Sequence, residues 1–373
     1  MADTTIEWTD AVWNPLRGCT RISAGCMNCY AERVAMRFSG EGQPYHGLVQ
    51  MTSQGPKWTG RIELVPEKLE EPLRMRKPRK FFVNSMSDLF HEGVPFEFID
   101  QVFAVMAVTR RHTYQILTKR ADRMLEYFSR PGDRTLGGMP FSIINAAVKL
   151  GPDGQDNCGP AWPLENVWLG VSAEDQTRAD ERIPLLLQCP AAVHWISGEP
   201  LLGSIDLERV KWPDLGDHRV DVLRGGYWNK APYLLGAPSA GLGEPKGGFT
   251  NHSDMPGKLN WVVAGGESGP GARPMHPDWA RNLRDQCEAA GVRYFFKQHG
   301  EWAPGSGDFG ARKFETAAIA CDGRVVTDGY DAVGYPPGAT SADGWAMVHR
   351  AGKKAAGRLL DGRTHDEFPE IQG

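Results

Sequence analysis

Short apolar runs recur along the chain, and each ends abruptly in polar residues or glycine. Six have strand length: Phe81–Asn84, Tyr114–Thr118, Val167–Ser172, Val193–Ser197, Trp261–Gly265 and Val292–Lys297. Strands covered on both faces are apolar at nearly every position, so these runs predict buried parallel strands. Between them apolar positions take helical spacing. Phe98, Val102, Val105 and Met106 follow the first run; Trp279, Leu283, Cys287 and Ala290 precede the last, with Pro277 near that helix's start and Gly291 just past its end. Strand and helix in alternation predict an α/β fold, a full or partial parallel β/α (TIM-like) barrel over residues 1–302. Two Gly- and Pro-rich stretches, about 131–163 and 211–260, interrupt the rhythm and read as insertions over one face of the barrel, the second carrying Trp212, Tyr227, Trp228 and Tyr233. From about Ala303 the character changes again. Residues 303–373 read as a C-terminal extension packing on the barrel, with a helix through Gly352–Leu360.

The cysteines add chemistry. Of seven in 373 residues, Cys19, Cys26 and Cys29 stand together as C-x6-C-x2-C, while Cys158, Cys189, Cys287 and Cys321 are scattered and Cys287 falls on a core helix face. An odd, sparse count of this kind is not a disulfide framework. Three thiolates with one open position are what a [4Fe–4S] cluster needs if its fourth iron is to bind a small molecule. The alternative is a zinc site completed by His46. Ala31, Val34, Ala35 and Phe38 predict a short helix directly after Cys29, whose amino-terminal turn favours negative charge. A net charge of −4 neither requires nor excludes nucleic acid. Met1–Asp10 carries Asp3, Glu7 and Asp10 without an apolar core of signal-peptide length, and no run reaches membrane-spanning length, so a cytoplasmic location without membrane contact is expected.

In β/α barrels the strands' carboxyl ends gather at one mouth. The polar residues following the six runs are Asn84, Ser85, Ser87 and Asp88; Thr118, Lys119 and Arg120; Ser172 and Glu174; Ser197 and Glu199; Glu267 and Ser268; and Lys297, Gln298 and His299. Lys297 and His299 are the candidate catalytic residues, placed to face a substrate. Trp8 and Trp13 read as core or lid packing, with substrate stacking as the alternative. The cations Arg74, Arg76, Lys77, Arg79 and Lys80, with Arg110 and Arg111, read either as a solvated face or as phosphate contacts, which makes nucleic acid a candidate substrate or partner.

The segments IEWTDAVWNPLRGC, GCMNCYAER, FVNSMSDLF, ILTKR, WLGVSAEDQ, WISGEPLLG, AGGESGPGARPMHPDW and FFKQHGEW carry a resemblance. The chain resembles the radical SAM superfamily and is most similar to a phage-associated three-cysteine family of unknown function. That resemblance implies an open [4Fe–4S] cluster on Cys19, Cys26 and Cys29, bound S-adenosylmethionine, and a reductant such as a flavodoxin or ferredoxin. The activity implied is formation of a 5′-deoxyadenosyl radical that abstracts hydrogen from a substrate. Asn84, Ser85 or Asp88 would take the methionine amino group, Lys119 its carboxylate, and Ser172 or Glu174 the ribose hydroxyls. Gly265-Gly266-Glu267 matches a tripeptide that superfamily members use for the amino group, yet it follows the sixth strand, where that motif follows the second. Its glycines read as close backbone approach to adenine or substrate, or as a plain turn with Glu267 solvated; Glu199 reads as a ligand or as a strand end before Pro200. The pattern departs from the superfamily's usual C-x3-C-x2-C, with Asn28 where an aromatic residue usually precedes the last cysteine. The other function class is a non-catalytic zinc- or iron–sulfur-binding nucleic-acid interaction protein of phage or defence origin.

Overall fold

The computed structural model describes residues 4, 6–131, 138–150, 162–213, 219–228, 249–251, 257–305, 314–327, 335 and 339–370. At its centre is a seven-stranded sheet in chain order: β1 (Ala11–Trp13), β2 (Lys80–Val83), β3 (Thr113–Thr118), β4 (Val167–Ser172), β5 (Val193–Gly198), β6 (Trp261–Gly265) and β7 (Arg293–Gln298). Every neighbouring pair is parallel. All six predicted runs are strands of this sheet, and β1 precedes them. The sheet curls into a half-barrel, so of the two expected closures the partial one is found.

Side chains alternate across each strand, which sorts the two faces. Phe81, Val83, Ile116, Leu169, Ile196, Val262 and Phe296 lie in one buried cluster with the helices, including Ile99 and Phe103 of α2 (Phe96–Val108), Ile183 of α5 (Gln176–Leu187) and Leu283 of α6 (Pro277–Ala290). The intervening positions face the inside of the curl. There Phe82, Trp168, Trp195, Trp261 and Phe295 pack with Trp8 from the chain's start. Trp195 fits because Gly170, its register partner on β4, has no side chain; a Cβ there would lie 2.5 Å from Trp195 Nε1. Between β1 and β2 the short helix α1 (Tyr30–Met36) follows Cys29 as expected, and α3 (Ala121–Phe128) and α4 (Phe141–Val148) lie between β3 and β4. Gly291, with φ 68°, ends α6, and Cys287 is buried on it.

Neither irregular stretch is merely loop. The first contains α4, packed on α2. The second forms an antiparallel sheet of Val210–Lys211, Arg219–Asp221, Gly226–Trp228 and Phe249–Asn251. Its Val220, Val222 and Leu223 join the outer cluster, and Trp212 is buried; Tyr233 and Cys158 lie outside the described residues. The predicted helix over Gly352–Leu360 shrinks to Lys353–Ala356, because Gly352 (φ 84°) and Gly357 (φ 70°) turn the backbone left-handed at both ends. Within the tail, Trp302–Pro304, Thr316–Ala320, Val325–Val326 and Trp345–Arg350 form a four-stranded antiparallel sheet. Beyond it the chain runs along the free edge of β7, where Phe296 N–H donates to His365 O at 2.9 Å. Phe368 then packs on Trp261 and Phe295 and lies under Lys80 Nζ at 3.8 Å, linking β7 to the start of β2 across the half-barrel's base. Among the described residues no helix is long and apolar enough to cross a membrane.

Candidate active site at the carboxyl ends of the strands

Continuing each inward row past the tryptophans gives Asn84 after β2, Lys119 after β3, Ser172 on β4, Ser197 and Glu199 at the end of β5, and Lys297 on β7. All of them line one cavity of about 410 Å³. Trp8, Phe82 and Leu117 supply an apolar floor, and Cys19, Cys26 and Cys29 line the same space. Asn84 is only 3% exposed and adopts φ 61°, yet among the described residues neither atom of its amide has a hydrogen-bond partner; its backbone is fixed by Asn84 N–H donating to Trp13 O at 2.8 Å. A buried amide left unsatisfied carries a desolvation cost that a hydrogen-bonding partner would offset. Lys119 Nζ donates to Ser172 Oγ at 2.9 Å. Lys297 Nζ lies 2.9 Å from both Glu199 oxygens, and Gln298 Nε2 donates to Glu199 Oε1 at 3.1 Å.

Acid–arginine pairs clamp the cysteine segment to the strand ends. Glu267 accepts from Arg273 Nε at 2.9 Å, Arg273 Nη2 at 2.6 Å and Asn28 Nδ2 at 2.9 Å, while Arg273 Nη2 also donates to Ala24 O at 2.9 Å. Glu174 pairs with Arg182 at 2.9 Å and accepts from Gly25 N–H at 3.2 Å. Glu32, in the first turn of α1, pairs with Arg21 at 2.5 Å and accepts from Trp58 N–H. Asp88 accepts from Thr118 Oγ1 at 2.7 Å and from Arg120 Nη1 at 3.1 Å, and the same Nη1 lies 3.8 Å from Cys19 Sγ. Burial alone would raise the Glu174 and Glu267 carboxyls, but their arginines and hydrogen bonds outweigh it and hold both below the usual range. The thiols move the other way. Burial, with Asp88 adding and Arg120 opposing, pushes Cys19 up to about 12, and burial raises Cys29. A bound cationic core would reverse that preference, because metal coordination deprotonates thiols outright.

A family profile described as "Protein of unknown function (DUF5131)" matches residues 3–369. The chain belongs to this family. No curated protein and no solved structure matches it.

Within this family member the expected site residues divide. Cys19, Cys26, Cys29, Asn84, Ser85, Asp88, Lys119, Ser172, Glu199, Gly266, Glu267 and Lys297 line the cavity. Gly265, Glu174 and His299 do not. Gly266 is a close-approach glycine, but a Cβ there would run into the backbone carbonyl of His299, so the approach is to the protein's own chain. His299 is turned outward, its Nε2 2.9 Å from Leu359 O, because β7 ends at Gln298 and Gly300 (φ 82°) bends the chain. Asp88, Glu174 and Glu267 spend their carboxylates on the protein. His46 is exposed, with Nδ1 3.3 Å from Ser39 O, and does not line the cavity. No group of three or more His, Cys, Asp or Glu among the described residues is arranged to hold a metal ion. The Arg74–Arg79 cations precede β2, Lys80 opens it, and Arg110 and Arg111 precede β3, at the ends of these strands opposite the cavity; Arg74 pairs with Glu70, and Arg111 Nε donates to Met75 O. Sequence reasoning missed Trp8 as cavity floor and Asn28, Arg273 and Arg182 as clamps. For Asn28 the signal was its place between Cys26 and Cys29.

Proposed function

We propose that this protein is a radical SAM enzyme, with Cys19, Cys26 and Cys29 holding a [4Fe–4S] cluster above a cavity that binds S-adenosylmethionine. One observation carries the reading: three thiols line the same cavity as the unpartnered Asn84 amide and the inward Lys119 and Ser172, at the carboxyl ends of parallel strands. The donor set fits the group. Thiolates on separate irons of a cubane stand farther apart than the ligands of one zinc ion, whose bonds of about 2.3 Å crowd the sulfurs. When bound, the cluster supplies the electron that cleaves the sulfonium to a 5′-deoxyadenosyl radical.

The chain's own residues would do the rest. Asn84 offers an amide oxygen to the methionine ammonium, and Ser85 stands beside it. Among the described residues Lys119 has no carboxylate within ion-pair distance, so its ammonium is available to the methionine carboxylate; Ser172 hydrogen-bonds a ribose hydroxyl. The aromatic floor excludes water from beneath the reacting centre, and the Lys297–Glu199 pair presents a fixed dipole to orient substrate. Anaerobically reconstituted protein, given S-adenosylmethionine and a low-potential reductant such as dithionite or reduced flavodoxin, should release 5′-deoxyadenosine. Protein carrying its full iron and sulfide that yields none would overturn the reading.

A further inference from the structure

We propose that Arg120 sets the reduction potential of the cluster through Cys19. The inference rests on the function proposed for this site, since it concerns a cluster held by that thiolate. Arg120 follows β3 and is 2% exposed. Its Nη1 stands 3.8 Å from Cys19 Sγ and 3.1 Å from Asp88 Oδ2, Nη2 donates to both oxygens of Thr20, and Nε donates to Glu92 at 3.1 Å. Every nitrogen of the fork is engaged, so the guanidinium is held against the sulfur. Among the described residues the other two cysteines have no guanidinium at hydrogen-bond distance. Cys26 Sγ has Ser23 Oγ at 3.9 Å, and Cys29 caps the amino terminus of α1 without a side-chain hydrogen bond.

Reduction adds an electron to an already anionic thiolate cluster. A positive charge and an N–H donor at one coordinating sulfur stabilise the electron-rich state, so they raise the potential. The Asp88 carboxylate, 3.1 Å from the same nitrogen, acts in the opposite sense. The field at Cys19 is therefore a balance between two side chains, and removing either should move the potential in a predictable direction. A purely structural role for the pair would not do this: loosening the Cys19 loop from either partner should give changes of one sign or loss of the cluster.

The test is an anaerobic redox titration of the full chain, followed by electron paramagnetic resonance, with iron and sulfide measured first. Arg120→Gln should shift the midpoint to lower potential and Asp88→Asn to higher. Arg120→Lys, which keeps the charge but cannot span Asp88, Thr20 and Cys19 together, should fall between wild type and Arg120→Gln. Shifts of the same sign for Arg120→Gln and Asp88→Asn, or unmoved midpoints in loaded protein, overturn the inference. Should Arg120→Gln fail to load, Arg120→Lys takes its place in the comparison with Asp88→Asn, and shifts of opposite sign are again required. Wild-type protein that takes up no iron and sulfide overturns the proposed function as well, whereas loaded wild type with unmoved variants overturns only the role of Arg120.

Discussion

Glu267→Gln separates two roles for a residue that sequence alone left between cofactor ligand and turn. Its Oε2 accepts from Asn28 Nδ2, Arg273 N and Arg273 Nε at 2.8–2.9 Å, and Oε1 accepts from Arg273 Nη2 at 2.6 Å. Glutamine can turn its oxygen toward the first three donors, but its amide then meets Nη2 donor to donor. One charge-assisted bond is lost, those from Asn28 Nδ2 and Arg273 N become neutral, and the one from Arg273 Nε keeps only its cationic donor. At about 1.5–3 kcal/mol for a bond to a charged group against about 0.5–1.5 for a neutral one, and with Arg273 a third exposed and partly screened, the loss should be about 1–3 kcal/mol. Urea unfolding should show a lower midpoint at unchanged slope. The Glu267 carboxyl is depressed in the folded chain, so the clamp is fully present above the unfolded value of about 4.3 and fades as pH falls through the folded value. The gap between wild type and variant should close with it. Unchanged stability at neutral pH, together with lost S-adenosylmethionine affinity, would refute the clamp and restore Glu267 as a cofactor ligand.

Three further outcomes follow from the geometry. Gly170→Ala would press a methyl against Trp195, itself packed by Trp8 and Trp261, and should destabilise by about 1–3 kcal/mol in thermal or urea unfolding; no loss would mean the inner layer is not closely packed. Lys119→Ala should weaken S-adenosylmethionine binding by about 1.5–3 kcal/mol in calorimetric titration without loss of iron, and Ser172→Ala by less; unchanged titrations would move the cofactor to another wall. Burial lowers His91, His112, His194, His276, His299 and His365, so each favours the neutral form when folded. Stability is complete above about pH 6.5 and should decline as pH falls toward the folded values, which unfolding measured across about pH 4–8 would contradict if it stayed flat.

The parallel strands were legible because strands covered on both faces leave unbroken apolar runs, as Val167–Ser172 and Trp261–Gly265 do. The cavity wall was legible by extension, since a period of two carries Phe82 to Asn84, Leu117 to Lys119 and Phe295 to Lys297. The same period misplaced His299, because it assumes the strand continues where Gly300 bends the chain. The tail was opaque for another reason: Phe368 finds Trp261 and Lys80 through contacts more than a hundred residues apart, which no local pattern encodes. The ring of strand-end carboxylates was visible too, but a sequence does not show which partner an acid will find. Asp88, Glu174 and Glu267 each met an arginine, and only the folded chain distinguishes such a clamp from a ligand.

Metal analysis of protein reconstituted without oxygen tests the central claim most directly. The wild type should hold iron and inorganic sulfide in equal amounts, about four of each per chain; Cys19→Ala, Cys26→Ala and Cys29→Ala should each lose them, and Cys287→Ala should keep them. Stoichiometric zinc without sulfide in the wild type, or equal loss on changing the buried Cys287, would contradict the account.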